Sequence, residues 1–239
     1  MKSQSTVVAS GTVAVNSAIP ACMTQHRRVR GSESRCCFFT PLHYESRYDY
    51  PVVIWLHGPR ADERQLHRVM PLLSMRNYIA VAPRGNLRLQ QDVGYDWSPV
   101  DSQLGRVDDL VLDALQAVKR KFHFDSRRVF LAGFQSGGNT AIEVAMRYPD
   151  RFAGAVSVGG GAAGPRLPLA RLQEVRGLPI LVARPHAPQD QSRCDLRLWH
   201  AAGLDVTLRE FSAAGGLHND VFRSVNAWIM GLAAGALIV

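Results

Sequence analysis

From Arg128 to Gly138 the chain reads Arg-Val-Phe-Leu-Ala-Gly-Phe-Gln-Ser-Gly-Gly: an apolar, β-favouring run, a glycine-framed turn, and then a helical pattern. A strand, a sharp turn and a helix in that order lift the residue at the turn above a sheet, where a hydroxyl can attack an acyl carbon. The apex of such a turn takes a strained backbone conformation, and small residues two before and two after it relieve the crowding. Gly133 and Gly137 frame Gln135, whose amide is no nucleophile, and leave Ser136 in the first helical turn. Centring the turn on Ser136 instead puts Phe134 in the crowded position. The glycine frame predicts Gln135 at the apex, and a one-residue shift of the turn is the arrangement that lets Ser136 act.

The elements around this turn alternate. Cys36 to Thr40 is a short strand closed by Pro41, and Val52 to Leu56 is apolar on both faces, as a central parallel strand is. Asp62 and Glu63 open a helix with Leu66, Val69, Met70 and Leu73 at helical spacing, and Tyr78 to Ala82 is a further buried strand. Pro83-Arg84-Gly85 stops that strand, and the next stretch, to Gln103, is a long loop carrying Gly94-Tyr95-Asp96-Trp97-Ser98; a loop of that length in a compact domain is usually functional or a lid. Trp97 and Tyr95 either line an acyl or aromatic pocket or pack on the body. Val107, Leu110, Val111, Ala114, Leu115, Val118 and Phe122 form one helical stripe between Gly105 and Phe122, with acids at its start and bases at its end. After the framed turn come a helix to Tyr148, strands at Phe152 to Val158, Leu178 to Ala183 and Asp205 to Phe211, a helix at Cys194 to Ala202, and a closing helix from Asn219. The apolar tail from Gly231 to Val239 reads as the end of that helix packing on the body. Alternation of this kind predicts an α/β fold: one domain, a doubly wound and mostly parallel sheet with helices on both faces. Residues 1–35, Ser/Thr/Ala-rich and then basic, read as a partly disordered extension, with the domain spanning 36–239.

At 239 residues and 46% hydrophobic, the chain has ample material for one such core. The net charge of +8 suggests a nucleic-acid footprint, but the basic residues are nearly all arginines spread along the chain, and no nucleic-acid reader motif accompanies them. No window reaches the ~20 apolar residues of a membrane span, and the first twenty residues lack a signal peptide's continuous apolar core. Cys22, Cys36, Cys37 and Cys194 show no metal-ligand spacing and make a poor disulfide framework, so a reducing, cytoplasmic location is expected. Gly159-Gly160-Gly161 lacks the Lys-Ser/Thr of a phosphate loop and reads as close backbone packing. No feature of the sequence specifies an oligomeric state.

Several motifs in order carry a resemblance. Leu56-His57-Gly58, Val81-Ala82-Pro83-Arg84-Gly85, Gly133-Phe134 with Gly137-Gly138, and Arg151-Phe152-Ala153-Gly154-Ala155-Val156 together resemble the phospholipase/carboxylesterase (acyl-protein thioesterase-like) serine hydrolases of the α/β-hydrolase superfamily. The polyhydroxybutyrate-depolymerase-like esterases are similar too. The resemblance covers roughly residues 36–230. It implies a Ser-His-Asp triad, a small-molecule ester or thioester substrate, and neither metal nor organic cofactor.

The resemblance also assigns roles, and the chain departs from each. The family pattern Gly-Phe-Ser-Gln-Gly-Gly stands here transposed, as Gly-Phe-Gln-Ser-Gly-Gly. Ser136 as nucleophile would leave the Gly137 N–H as one oxyanion donor. The other donor follows His-Gly in the family, and that residue here is Pro59, which has no N–H. Losing one donor costs roughly 10²–10³ in rate unless the Arg60 N–H takes its place. His218, after the last strand, stands where the family keeps its base, shifted by Leu217. The acid should follow the strand at Leu178 to Ala183. Asp190 is the nearest, in a shortened loop, and is equally placed to open the next helix. Two readings follow: a carboxylic-ester hydrolase of weak activity acting through Ser136, His218 and Asp190, or an inert relative that keeps the pocket to bind a ligand or partner.

Overall fold

The computed structural model describes residues 23–29, 32–90, 94–98, 106–160, 172–186, 192–212 and 217–235. Among them, β1 (Met23–Val29), β2 (Ser32–Phe39), β3 (Tyr50–Leu56), β4 (Ile79–Pro83), β7 (Phe124–Phe134), β8 (Gly154–Val158), β9 (Ile180–Pro185) and β10 (Val206–Phe211) form one sheet, ordered β1-β2-β4-β3-β7-β8-β9-β10. The first two pairings are antiparallel and the other five parallel. A two-residue hairpin, β5 (Leu87–Arg88) with β6 (Tyr95–Asp96), interrupts the long loop.

The central strands β3 and β4 are buried along their whole length, because helices cover both faces. Alternate strand residues therefore enter different cores. Val52, Ile54, Leu56, Val129 and Leu131 pack with α2 (Val107–Lys119), α3 (Ser136–Arg147) and α5 (Ser192–Ala201). Val53, Trp55, Phe130, Ala132 and Val156 pack with α1 (Leu66–Leu73) and α6 (Asn219–Gly235) on the other face. A short α4 (Leu172–Val175) precedes β9. This is the doubly wound α/β arrangement expected from the alternation of apolar runs. Its switch point lies at β3, which has β4 on one side and β7 on the other, and ligands of such sheets bind outside the carboxyl ends of the strands there.

The sheet starts earlier than the boundary expected at residue 36. β2 begins at Ser32, and Met23–Val29 pairs with it in register from Met23 opposite Phe38 to Val29 opposite Ser32. The sequence of β1 is Met-Thr-Gln-His-Arg-Arg-Val, and among the described residues it is the outermost strand, paired along its length with β2. The cysteine expectation also changes: Cys36 is a buried free thiol, whereas Cys37 is disulfide-bonded. Burial, with Glu63 and Asp113 adding to it, pushes the Cys36 thiol up to about 12, so it is protonated and unreactive. The closing helix runs to Gly235 with Ala233 buried, and residues 236–239 lie outside the described part. No helix among the described residues is long and apolar enough to cross a membrane.

Candidate functional site

Gln135 occupies the turn between β7 and α3 with φ 49° and ψ −114°. This conformation is nearly confined to glycine and costs about 1–3 kcal/mol for another residue. The surroundings hold it there. A Cβ on Gly133 would lie 2.4 Å from the Gly137 carbonyl, and a Cβ on Gly137 would lie 2.3 Å from the His57 oxygen. The two glycines let β7, the first turn of α3 and the end of β3 touch backbone to backbone. The Gln135 N–H donates to the Val158 carbonyl at 2.8 Å, and its own carbonyl accepts from Asn139 N–H at 3.0 Å. The apex is therefore an amide side chain.

Ser136 is the first residue of α3, half-buried, and its hydroxyl donates to Asp96 Oδ1 at 2.7 Å. The same carboxylate oxygen accepts from the Trp97 N–H at 2.9 Å. Asp96 lies forty positions upstream, in the long loop, and pairs with Ser136 because Trp97 anchors that loop. Its indole N–H donates to the His57 carbonyl at 2.8 Å, and its ring lies 4.8 Å from the His57 ring. Trp97 is thus packed on the body. A carboxylate takes the hydroxyl's hydrogen bond but is a weaker base than the imidazole that deprotonates serine in acyl transfer.

The early loop is committed elsewhere. Gly58 N–H donates to Gln65 Oε1 at 3.2 Å, and the same oxygen accepts from Trp55 Nε1 at 3.0 Å. Pro59 is exposed and has no donor. Arg60 takes φ 60° in a turn closed by Ala61 N–H on the Gly58 carbonyl at 3.3 Å. The structure thus brings Gln135, Ser136, Gly137 and the 57–60 loop together. His218 is exposed just before α6, and among the described residues no hydrogen bond joins it to Ser136. Asp190 lies outside the described residues. No group of three or more His, Cys, Asp or Glu side chains among the described residues is placed to hold a metal ion.

His57 is fully buried and structural. Its Nε2 accepts from Gly85 N–H at 2.9 Å, and its Nδ1–H faces the Gly58 carbonyl at 2.8 Å. These partners require the neutral ring protonated on Nδ1. Burial lowers its pKa from 6.5, against smaller opposing effects of the Gly58 bond and nearby carboxylates. Below pH 6.5 the unfolded chain binds the proton and the folded one resists it, so the contribution of His57 to stability is complete above that pH. It is lost as pH falls towards the folded value. Urea unfolding at stepwise lower pH should show stability falling as the pH drops below 6.5. The fall should be shallower in His57→Gln; equal slopes would remove His57 as the cause.

Neither a family model nor a curated protein sequence matches the chain. Solved structures do. A ferulic acid esterase aligns with a TM-score of 0.69 at 14% identity, over 89% of this chain and 98% of that one. FphF, a fluorophosphonate-binding serine hydrolase of Staphylococcus aureus, aligns with a TM-score of 0.65 at 14% identity, over 89% and 98%. A thermostable esterase gives 0.64 at 18%, over 89% and 63%. At these identities the likeness establishes the fold, and the chain has the α/β-hydrolase fold.

Sequence reasoning named Gln135, Ser136, Gly137, Pro59 and Arg60 but missed Asp96 as the partner of Ser136. The only signal was an acid beside a tryptophan in an unusually long loop.

Proposed function

We propose that this chain is a ligand-binding protein on an α/β-hydrolase scaffold, without ester hydrolysis through Ser136. The observation that carries this reading is Gln135 at the strained apex. The position from which a nucleophile attacks holds an amide, while the neighbouring hydroxyl is bonded to a carboxylate. The absence of an N–H on Pro59 and the commitment of Gly58 N–H to Gln65 support it from the oxyanion side.

A second reading is favoured by the fold neighbours, whose names are those of esterases and serine hydrolases. In it the protein hydrolyses small carboxylic esters or thioesters. Ser136 attacks, His218 takes its proton, Asp190 orients the imidazole, and the N–H groups of Gly137 and Arg60 face the oxyanion. This requires Ser136 to leave Asp96 and His218 to move in. Hydrolysis of p-nitrophenyl acetate separates the two. The binding reading expects wild type and Ser136→Ala to turn over equally, at the rate of any inert protein. A wild-type rate well above that of Ser136→Ala overturns it.

A further inference from the structure

Beside the framed turn, at the carboxyl ends of β3 and β4, lies a cavity of about 640 Å³ with Arg35, Arg60, Arg64, Arg68, Arg84 and Arg88 in its wall. Six guanidinium groups around one space is a costly arrangement unless anions answer them. Arg35 and Arg88 have partners of their own, and Arg64 and Arg84 are answered by carboxylates at the cavity. Arg64 holds Asp62 through Nη2 at 2.5 Å and Nε at 2.9 Å. Arg84 forms a two-point pair with buried Glu63, at 2.6 and 2.5 Å, and lies over the Tyr95 ring at 4.7 Å from its centre. Arg60 and Arg68 face the same cavity, both exposed, and neither meets a carboxylate among the described residues.

We propose that this cavity binds a phosphorylated small molecule, with its phosphate between Arg60 and Arg68. A phosphate monoester carries about −1.5 to −2 at neutral pH, which balances two guanidinium groups, whereas a monocarboxylate leaves one uncompensated. Guanidinium forks match phosphate oxygens in pairs. A volume of about 640 Å³ is that of a small-molecule site rather than of an isolated ion, and Tyr95 and the stacked Arg84 give the remainder of the ligand a flat wall. Two features fix the shape of the cavity. Gly94, at φ 99°, lets the loop pass within reach of the Arg60 carbonyl, and the Tyr95 N–H bonds the Ala61 carbonyl at 2.8 Å. The same loop carries Asp96 to Ser136, so the cavity adjoins the framed turn. The site stands whether or not Ser136 acts, because no step of its binding uses that hydroxyl.

Calorimetric titration with phenyl phosphate, and with benzoate as a carboxylate of like body, tests it on the full chain. Phenyl phosphate is expected to bind one to one, at least tenfold tighter than benzoate, and to weaken as salt is added. Arg68→Gln should weaken it by about tenfold, the value of one charged hydrogen-bonding partner, and Arg60→Gln/Arg68→Gln by more. Arg127→Gln, an exposed arginine paired with Asp125 on β7, should leave it unchanged. Arg68→Gln alone carries the test if the Arg60 turn proves sensitive, since Arg68 sits on an exposed helix surface. Benzoate binding as tightly as phenyl phosphate, wild-type affinity in Arg68→Gln, or no binding of phenyl phosphate at millimolar concentration overturns the assignment. Vesicles of phosphatidic acid in phosphatidylcholine form a separate arm. The proposal expects no more sedimentation with them than with phosphatidylcholine alone, and sedimentation lost in the double variant would put the phosphate on a lipid and overturn it.

Discussion

Gly137→Ala should lower the melting temperature by roughly 6–12 °C, the largest single effect expected at the framed turn, taking about 3 kcal/mol at ~2–4 °C per kcal/mol for a domain of this size. The added methyl would lie 2.3 Å from the His57 oxygen, 2.4 Å from the Leu56 oxygen and 2.8 Å from the Leu56 carbonyl carbon. All three are backbone atoms at the end of a strand paired on both sides, so no side chain can turn away to make room. The helix α3 must lift off β3, and Gly133 loses its contact with the Gly137 carbonyl in the same movement. Gly231→Ala is the internal control. Nothing lies within 4 Å of a Cβ there, and it sits inside α6, so the change should be neutral or stabilise by up to about 1 kcal/mol. Thermal unfolding of the two variants beside the wild type checks both. A Gly137→Ala protein as stable as the wild type would mean that the backbone approach at the turn is looser than described.

Glu63→Gln carries the second large effect, a destabilisation of about 2 kcal/mol. Removing one partner of a buried ion pair costs about 3–5 kcal/mol in a closed interior. The discount applies because the Arg84 side chain keeps 17% of its surface in water, whereas that of Glu63 keeps 1%. The amide retains one hydrogen bond to the guanidinium and loses its charge. Arg84 is then held by that one bond and by the Tyr95 ring and hydroxyl, the latter at 3.3 Å. The consequence extends to the cavity, since an unneutralised Arg84 adds positive charge to the wall. Glu63→Gln should therefore tighten phenyl phosphate binding while lowering stability, a pair of opposite signs that general unfolding does not produce. Urea unfolding and calorimetry on the same variant read the two separately.

The parts of the fold legible in the sequence were those with a strong local period or strong punctuation. The stripe from Val107 to Val118 lies in α2, the double-sided run of Val52 to Leu56 is the carboxyl-terminal part of β3, and Gly133 to Gly138 carries the passage from β7 through Gln135 into α3. What escaped depends on partners distant along the chain. β1 has no apolar face of its own and exists through its register with β2. Asp96 becomes a partner of Ser136 only because the Trp97 indole docks on the His57 carbonyl and brings the loop across the end of the sheet. The arginine cavity is less legible still. Its six guanidinium groups come from residues 35 to 88 at irregular intervals, on a strand, a turn, a helix and a hairpin, so in the sequence they read as a diffuse excess of charge. Parallel sheets gather the ends of separate strands at one edge, and residues remote in sequence meet there.

The framed turn thus combines the backbone of a nucleophile's seat with an amide in it. A fluorophosphonate, which reacts with an activated serine and leaves a mass adduct, reads this most directly when the intact protein is weighed after incubation. The wild type is expected to remain unmodified, as Ser136→Ala does. An adduct of one equivalent on the wild type, absent from Ser136→Ala, would show that Ser136 leaves Asp96 to act as a nucleophile and would contradict the account.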